Sequence, residues 1–463
     1  MKKFLKKASV YLLLLLLIAA GVFSLNYFLG HRLTSDLENE IEEIAAENNY
    51  QLRYLSIKSN PLLRRVDIDT LSLLKNNEQS YEINGAKIEF SWQQIFNYIK
   101  EREFLTKKDI KADIDKFSFY DLQRNNHFDF FNTELSYQGG FNSEDLKKPL
   151  ELIKNDHKLT VLSEELNYDY PFYRSYGIDK NNWEQISTFN NFAFAADYQS
   201  QNNRLLINDF MLKNEFIDYE LNFETVIERR LNDTGATNLE TKAEDSKNQR
   251  AEDTSNKTAA DFEEIVIYSD QAEKIVLQEL KSNYSLALNG EFLNISKNDF
   301  FNKFSFAELN LDSDFEMYLN SKNSSYQFQK FDLDFDLSDF QLGLQENLSQ
   351  RVNESSFGIL AQNKQFQLNI DSLNYQQNYS HPQGKSQLNL KSNLIDADLN
   401  AEFNLNNEIP YISNSLLKFK SKNQSVEQLL LFAQLLYGDS FKQDDEGYYY
   451  IESWGSLDNL KFE

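Results

Sequence analysis

Cysteine is absent from this 463-residue chain. That absence excludes disulfides, zinc-thiolate centres, thiol catalysis and a lipid-modified cysteine. In an exported compartment such a chain must hold together by core packing alone. Glycine and proline are also scarce, at 14 and 5 residues. Turns therefore fall to Asn, Asp and Ser, whose short side chains hydrogen-bond the nearby backbone. Acidic residues outnumber basic ones by 72 to 47, giving a net charge of -25. This argues against nucleic acid, whose phosphates require Lys or Arg to neutralise them. It argues equally against broad adhesion to anionic lipid outside the N-terminus.

Catalytic signatures are missing as well. The four histidines, His31, His127, His157 and His381, lie far apart. None has a His or Glu at metalloprotease spacing. There is no Gly-x-Ser-x-Gly, no Gly-rich phosphate loop and no dinucleotide fingerprint. Ser-x-x-Lys occurs as Ser72-Leu-Leu-Lys75 and Ser415-Leu-Leu-Lys418. The Lys-Thr-Gly triplet that accompanies it in penicillin-binding enzymes is absent. Asp332, Asp334 and Asp336 alternate as calcium ligands can, but an EF-hand loop needs Gly at position six and Glu at twelve. Leu337 and Gly343 stand there, so a solvated strand face is expected. No catalytic, cofactor-binding or metal-ligating residue is assigned, and the expectation is a non-enzyme without cofactor.

What the chain does have begins at its N-terminus. Lys2, Lys3, Lys6 and Lys7 precede an apolar run over 8–30 whose one strongly polar residue is Asn26. A bilayer crossing needs about 20 mostly apolar residues, and the positive-inside rule keeps 1–7 cytoplasmic. A cleaved signal peptide shares this layout, but the run is long for one and no small-x-small site follows. The expectation is a single-pass inner-membrane anchor over 8–30, with the bulk of the chain periplasmic or extracytoplasmic.

Beyond the anchor, Ser35-Asp-Leu-Glu38 has the form of a capping box. Leu37, Ile41, Ile44 and Ala45 recur at helical spacing, predicting an amphipathic helix over 33–49. From Tyr50 the period becomes two. Tyr50, Leu52 and Tyr54 alternate; Val66 and Ile68 follow, then Leu71 and Leu73. Ala86, Ile88, Phe90 and Trp92 continue the alternation before Ile95, Phe96 and Ile99 suggest a short helix. Ile110, Ala112 and Ile114 resume it, as do Phe131, Thr133, Leu135 and Tyr137, and Ile217 to Phe223. These read as half-buried strands in a first β-rich region over 50–230. Residues 231–262 are polar and predict a linker or long loop. A second β-rich region over 263–463 contains Phe331-Asp-Leu-Asp-Phe-Asp-Leu337 and Ala397 to Leu405. It also contains Ser425-Val-Glu-Gln428, a second capping box, which opens a buried helix over 426–437.

The fold expected is mainly β with a few short helices behind one N-terminal transmembrane helix. Alternation leaves two arrangements open. One is a sandwich with an ordinary core; the other is an elongated, strongly curved antiparallel sheet, groove-like, whose apolar side can hold acyl chains.

Tyr50-Gln-Leu-Arg-Tyr-Leu-Ser-Ile57, Asn60-Pro-Leu-Leu63 and Val66-Asp-Ile-Asp-Thr-Leu-Ser-Leu73, behind an anchor and a helix, resemble the start of AsmA-like bacterial envelope proteins. Gly455-Ser-Leu457 after a buried helix is similar to their C-terminal end, although Asp458-Asn-Leu460 stands where a proline is expected. Gly30 with its following helix, and Glu446-Gly-Tyr448 with Gly455-Ser-Leu457, also resemble the YdgA-like envelope family. The resemblance covers the two ends of the chain and leaves the middle matched in pattern only. An AsmA-like protein implies a non-catalytic role: moving phospholipid between membranes or supporting outer-membrane assembly, with acyl chains and other envelope proteins as partners. The YdgA-like alternative implies an anchored scaffold with a closed β core.

Overall fold

The computed structural model describes residue 24 and most of the chain from residue 26 onward. Outside the described residues lie 1–23, 102–107, 122–125, 141–152, 170–183, 232–261, 291–300, 351–366, 406–410 and 431–441, with shorter gaps between. Lys2, Lys3, Lys6, Lys7, most of the expected anchor, all of the 231–262 segment but its two end residues and most of the 426–437 helix fall there; Leu231 and Phe262 lie in strands. Among the described residues no helix is long and apolar enough to cross a membrane. The chain forms two compact units: residues 1–171 with 187–200, and residues 172–186 with 201–463.

The first unit opens with helix α1 over 26–43. The helix runs straight through Ser35, so the expected capping box there does not start it; the turns upstream are already helical. Leu33 and Ala45 are buried, and Leu37 and Ile41 pack against the same cluster as Leu33. Gly30 permits a close approach, since a Cβ there would lie 2.6 Å from the Ser59 carbonyl oxygen. Thr34 Oγ1 accepts from the Ser59 amide at 3.0 Å, and Asn26 Oδ1 from the Leu62 amide at 2.9 Å.

Strands β1 Tyr50–Tyr54, β2 Ile57–Asn60, β3 Arg65–Lys75 and β4 Gln79–Glu89 follow. Helix α2 spans Trp92–Glu101. Trp92, expected to continue the strand alternation, opens this helix instead. Ser91 and Gln94 explain why: the Gln94 amide donates to Ser91 Oγ and the Ser91 amide to Gln94 Oε1. That is a capping box, with two helix-end amides satisfied reciprocally. Then come β5 Lys108–Asp121, β6 Asn126–Gly139, β7 His157–Asp169, β8 Thr188–Phe189 and β9 Asn191–Gln199. Every pairing is antiparallel: β1 and β2 on β3, then β3 to β7 in chain order, with β8 and β9 on β7.

A crease crosses this sheet. Gly85 and Asn132 adopt positive φ of 67 and 48 degrees, and the ladder skips them. Apolar spacing lengthens from two to three in the same row of five strands: Ile68 to Leu71, Ile83 to Ala86, Ile114 to Phe117, Phe130 to Thr133 and Ser163 to Leu166. The extra residue keeps the apolar set on one face while the strand bends. Phe131, expected on the apolar side, is turned to the other one. It pairs with Lys116, whose Nζ lies 5.2 Å from its ring.

The second unit contains β10 Arg204–Lys213, β11 Ile217–Leu231, β12 Phe262–Glu263, β13 Val266–Ser269 and β14 Glu273–Asn289. It continues with β15 Phe301–Ser305, β16 Glu308–Asn320, β17 Ser325–Leu344, β18 Gln367–Ser380 and β19 Gln383–Ser392. The last strands are β20 Ile395–Asn404, β21 Tyr411–Ser421, β22 Lys442–Gln443, β23 Tyr449–Ser456 and β24 Asn459–Phe462. All pairings are again antiparallel, and the sheet is not closed. Near the C-terminus residues 424, 426, 427 and 430 are helical, while Ser425 of the expected capping box lies outside the described residues. Leu430 packs on Ala397, Phe419 and Tyr449.

The core of the first unit makes a stability contrast. Ile57 is 4 % exposed and Leu55 78 %. Ile57→Ala is expected to destabilise that unit by about 2–5 kcal/mol, and Leu55→Ala by no more than about 0.5 kcal/mol, read from urea unfolding of the two variants.

Candidate functional site

Register in the second unit aligns apolar residues across strand after strand. Leu212 of β10 faces Tyr219 of β11, and the row continues through Leu286, Leu311, Phe335, Tyr375, Leu388, Leu399, Leu417 and Ile451. At about 4.8 Å between strands, nine steps span roughly 43 Å. A parallel row runs from Ile217 through Leu288, Leu309, Leu337, Leu373, Leu390, Ala397 and Phe419 to Tyr449. Neither row contains a charge.

Two alternations make this face: period two within each strand and unbroken antiparallel register between strands. Every member of the first row is only half-buried, so it is not covered as a sandwich core would be. The buried end lies at Ala397, Phe419 and Tyr449, where Phe419 and Tyr449 stack at 5.6 Å. Tyr449 Oη donates to Glu427 Oε1 at 2.9 Å, pinning the helical segment over this end. The neighbouring row is mixed, running through Ser313, Leu333, Gln377, Ser386, Ala401, Ser415 and Ser453. Ser313 is buried and its hydroxyl has no hydrogen-bond partner.

Charge sits on the opposite face. Asp314 faces Asp332, and Asp312 faces Asp334. Lys330 Nζ bridges the first pair at 2.5 Å to Asp314 and 3.0 Å to Asp332. Both carboxylates therefore hold the lysine more firmly protonated than usual. Asp332, Asp334 and Asp336 thus share a strand face as expected, with Asp336 accepting from Asn374. Among the described residues no group of three His, Asp or Glu side chains is placed to hold a metal.

The first unit carries an aromatic version of the same face. Tyr50, Tyr81, Phe119, Phe128 and Tyr168 form a ladder with successive ring centroids 6.1, 5.1, 6.0 and 4.6 Å apart. Beside it run Ile83, Phe117, Phe130, Leu166 and Phe189. Beyond the crease, α1 and α2 cover the face with Leu33 and Tyr98, and Tyr98 Oη donates to Asp36.

The other residues singled out from sequence do not converge. Ser72 and Lys75 lie in β3, and Ser415 and Lys418 in β21. Three apart on a strand, each pair points to opposite sides. Lys418 sits 4.3 Å from the Tyr448 ring and 5.3 Å from that of Tyr450. His127 contacts Asp129 at 2.8 Å, His157 contacts Tyr137 Oη at 2.6 Å and His381 contacts Tyr379 Oη at 3.0 Å. Burial pushes the Tyr137 phenol up to about 12. His31 is exposed on α1. A concave pocket of about 1340 Å³ lies at the β18–β19 hairpin, lined by Lys330, Asp332, Tyr379, Phe403 and Lys385 among others. Lys385 pairs with Glu402 at 2.7 Å, so both lysines of this pocket are engaged by carboxylates.

No family model, no curated protein and no solved structure matches this chain. The site rests on its own geometry: a half-buried apolar face, with charge confined to the reverse side. Sequence reading found the alternation but not the rows, because the partner of each strand is not written in the strand itself.

One charged group on the polar side gives a pH test. Burial raises the Asp129 carboxyl, but hydrogen bonds from Ser118, Lys116 and His127 outweigh it and hold the group below 3.8. The folded value lies under the unfolded one, so this stabilisation is complete above 3.8 and fades as pH falls through the folded value. Asp129→Asn is expected to lower urea stability near neutrality. The difference from the parent should shrink in acid, as followed by unfolding curves across pH.

Proposed function

We propose that this chain is a membrane-anchored, non-catalytic protein of the bacterial envelope. In this reading it carries phospholipid acyl chains along the apolar face of its β-sheet, in the manner of AsmA-like proteins, between membranes or in support of outer-membrane assembly. The observation that carries the reading is the uncharged row from Leu212 to Ile451, half-buried across ten strands. An apolar face of this extent that is left only half-buried supports reading it as an interaction surface. Each methylene moved from water into full apolar contact gains about 0.8 kcal/mol, and a face of roughly 43 Å is longer than one acyl chain.

The anchor belongs to the same reading. Lys2, Lys3, Lys6 and Lys7 before the apolar run favour a cytoplasmic N-terminus and an inner-membrane position, with the β units outside the cytoplasm. A lipid-carrying face tethered by 8–30 has its lipid supply at its root.

A photo-crosslinking amino acid at Leu388, in the full chain in cells, tests the reading. A phospholipid adduct is expected at Leu388 and at Phe335, and none at Asn389 on the reverse face, as measured by mass spectrometry of the purified protein. Equal yield at Leu388 and Asn389, or no lipid adduct at either apolar position, would sink it.

A further inference from the structure

Helix α2 is apolar on two sides. Ile95 and Tyr98 face the core, while Trp92, Phe96 and Ile99, at i, i+4 and i+7, form a second stripe that is 46, 63 and 49 % exposed. A surface helix normally turns charge outward, so this stripe requires a reason. It does not stand alone. The Arg64 guanidinium carbon lies 5.9 Å from the Trp92 ring centre, and Arg64 ends the turn Pro61–Leu63, of which Pro61 is buried. The Phe90 amide donates to the Arg64 carbonyl at 2.8 Å, holding turn and helix start together. Leu62 and Leu63 on that turn are exposed as well.

Where this cluster lies on the chain identifies its occupant. The Leu62 amide donates to Asn26 Oδ1 at 2.9 Å, and Asn26 is the one strongly polar residue of the apolar run, near its C-terminal end. Tyr27, next along α1, is 70 % exposed. Exposed Leu, Trp and Phe side chains thus gather where the apolar run enters the folded unit. Basic groups also occur here: His31 and Arg32 are exposed on the first turns of α1 and Arg64 ends the turn, while the acidic residues of α1 begin at Asp36 and α2 ends Lys100-Glu101. Trp and Tyr favour the headgroup level of bilayers, and basic residues favour anionic headgroups.

We infer that Leu62, Leu63, Trp92, Phe96 and Ile99 form a membrane-contact platform that dips into the interfacial layer of the bilayer crossed by the preceding apolar run. The inference rests on the reading that this run is a retained anchor. A platform at its exit fixes the folded unit against the membrane surface and not merely near it. The Trp92-Phe96 pair, with centroids 6.2 Å apart, is its aromatic part.

The test uses the full chain in vesicles of phosphatidylethanolamine and phosphatidylglycerol, with bromine on the acyl chains either near the headgroup or near the chain end. Trp92 emission is taken as the difference between the parent and Trp92→Phe, a change at an exposed ring. Loss of most of that emission with headgroup-proximal bromine, and little loss with chain-end bromine, is expected. Phe96→Gln with Ile99→Gln should remove the quenching without altering β content by circular dichroism, since both side chains are exposed. A chain that floats with the vesicles but whose Trp92 is unquenched at either depth overturns the platform and leaves the anchor standing. Shielding of Trp92 from aqueous iodide without lipid quenching also overturns it, because a second copy or another protein then covers the stripe. A chain that does not float at all overturns the anchor reading, and the platform falls with it.

Discussion

The antiparallel hydrogen-bond ladder, held in register over many strands, is the constraint on which the rest of this structure depends. A slip of one residue in any strand would carry its whole apolar set to the other face. Across β10 to β23 no such slip occurs in the row from Leu212 to Ile451. Where strand length would otherwise break the alternation, positive-φ residues absorb one position. Gly85 and Asn132 do so in the first unit, and Asp209 and Asp339 in the second. Asn and Asp reach this conformation at lower cost than branched residues, which is how a chain with few glycines builds long bent strands.

That register also sorts charge. Asp312, Asp314, Asp332 and Asp334 lie on the face away from the apolar rows, with Lys330 between two of them. The acidity that argues against nucleic acid therefore keeps one face wet while the other remains uncharged. Helical segments cover part of each unit's apolar face. In the first unit α1 and α2 cover Val66, Ile68 and Ala112; in the second Leu430 packs on Phe419 and Tyr449. The row from Leu212 to Ile451 stays half-buried.

Much of the fold was legible in the chain, and its failures have local causes. Strands with plain alternation, such as Phe331 to Leu337 and Ala397 to Phe403, form where expected. Phe131 was misassigned because the positive-φ position at Asn132, skipped by the ladder, shifts the period, and a three-residue gap looks like noise until it recurs in neighbouring strands. Trp92 was read as strand because it follows Ile88 and Phe90 at period two. The signal against that reading, Ser91-Trp-Gln-Gln94, was present and is a capping box. Ser35 opens the same four-residue form but lies inside a helix, since a motif satisfies amides only where the chain has not already turned helical.

Composition and spacing by themselves determined the mainly β character, the absence of thiol chemistry and the two-sided nature of most strands. Those properties follow from single residues and their nearest neighbours. Which apolar residue stands beside which, the crease across β3 to β7, the uncharged rows and the exposed side of α2 were decided only in the tertiary structure. The reason is physical: side-chain alternation is local to a strand, whereas register is set by pairing between residues as far apart in sequence as Tyr219 and Leu286, or Leu417 and Ile451.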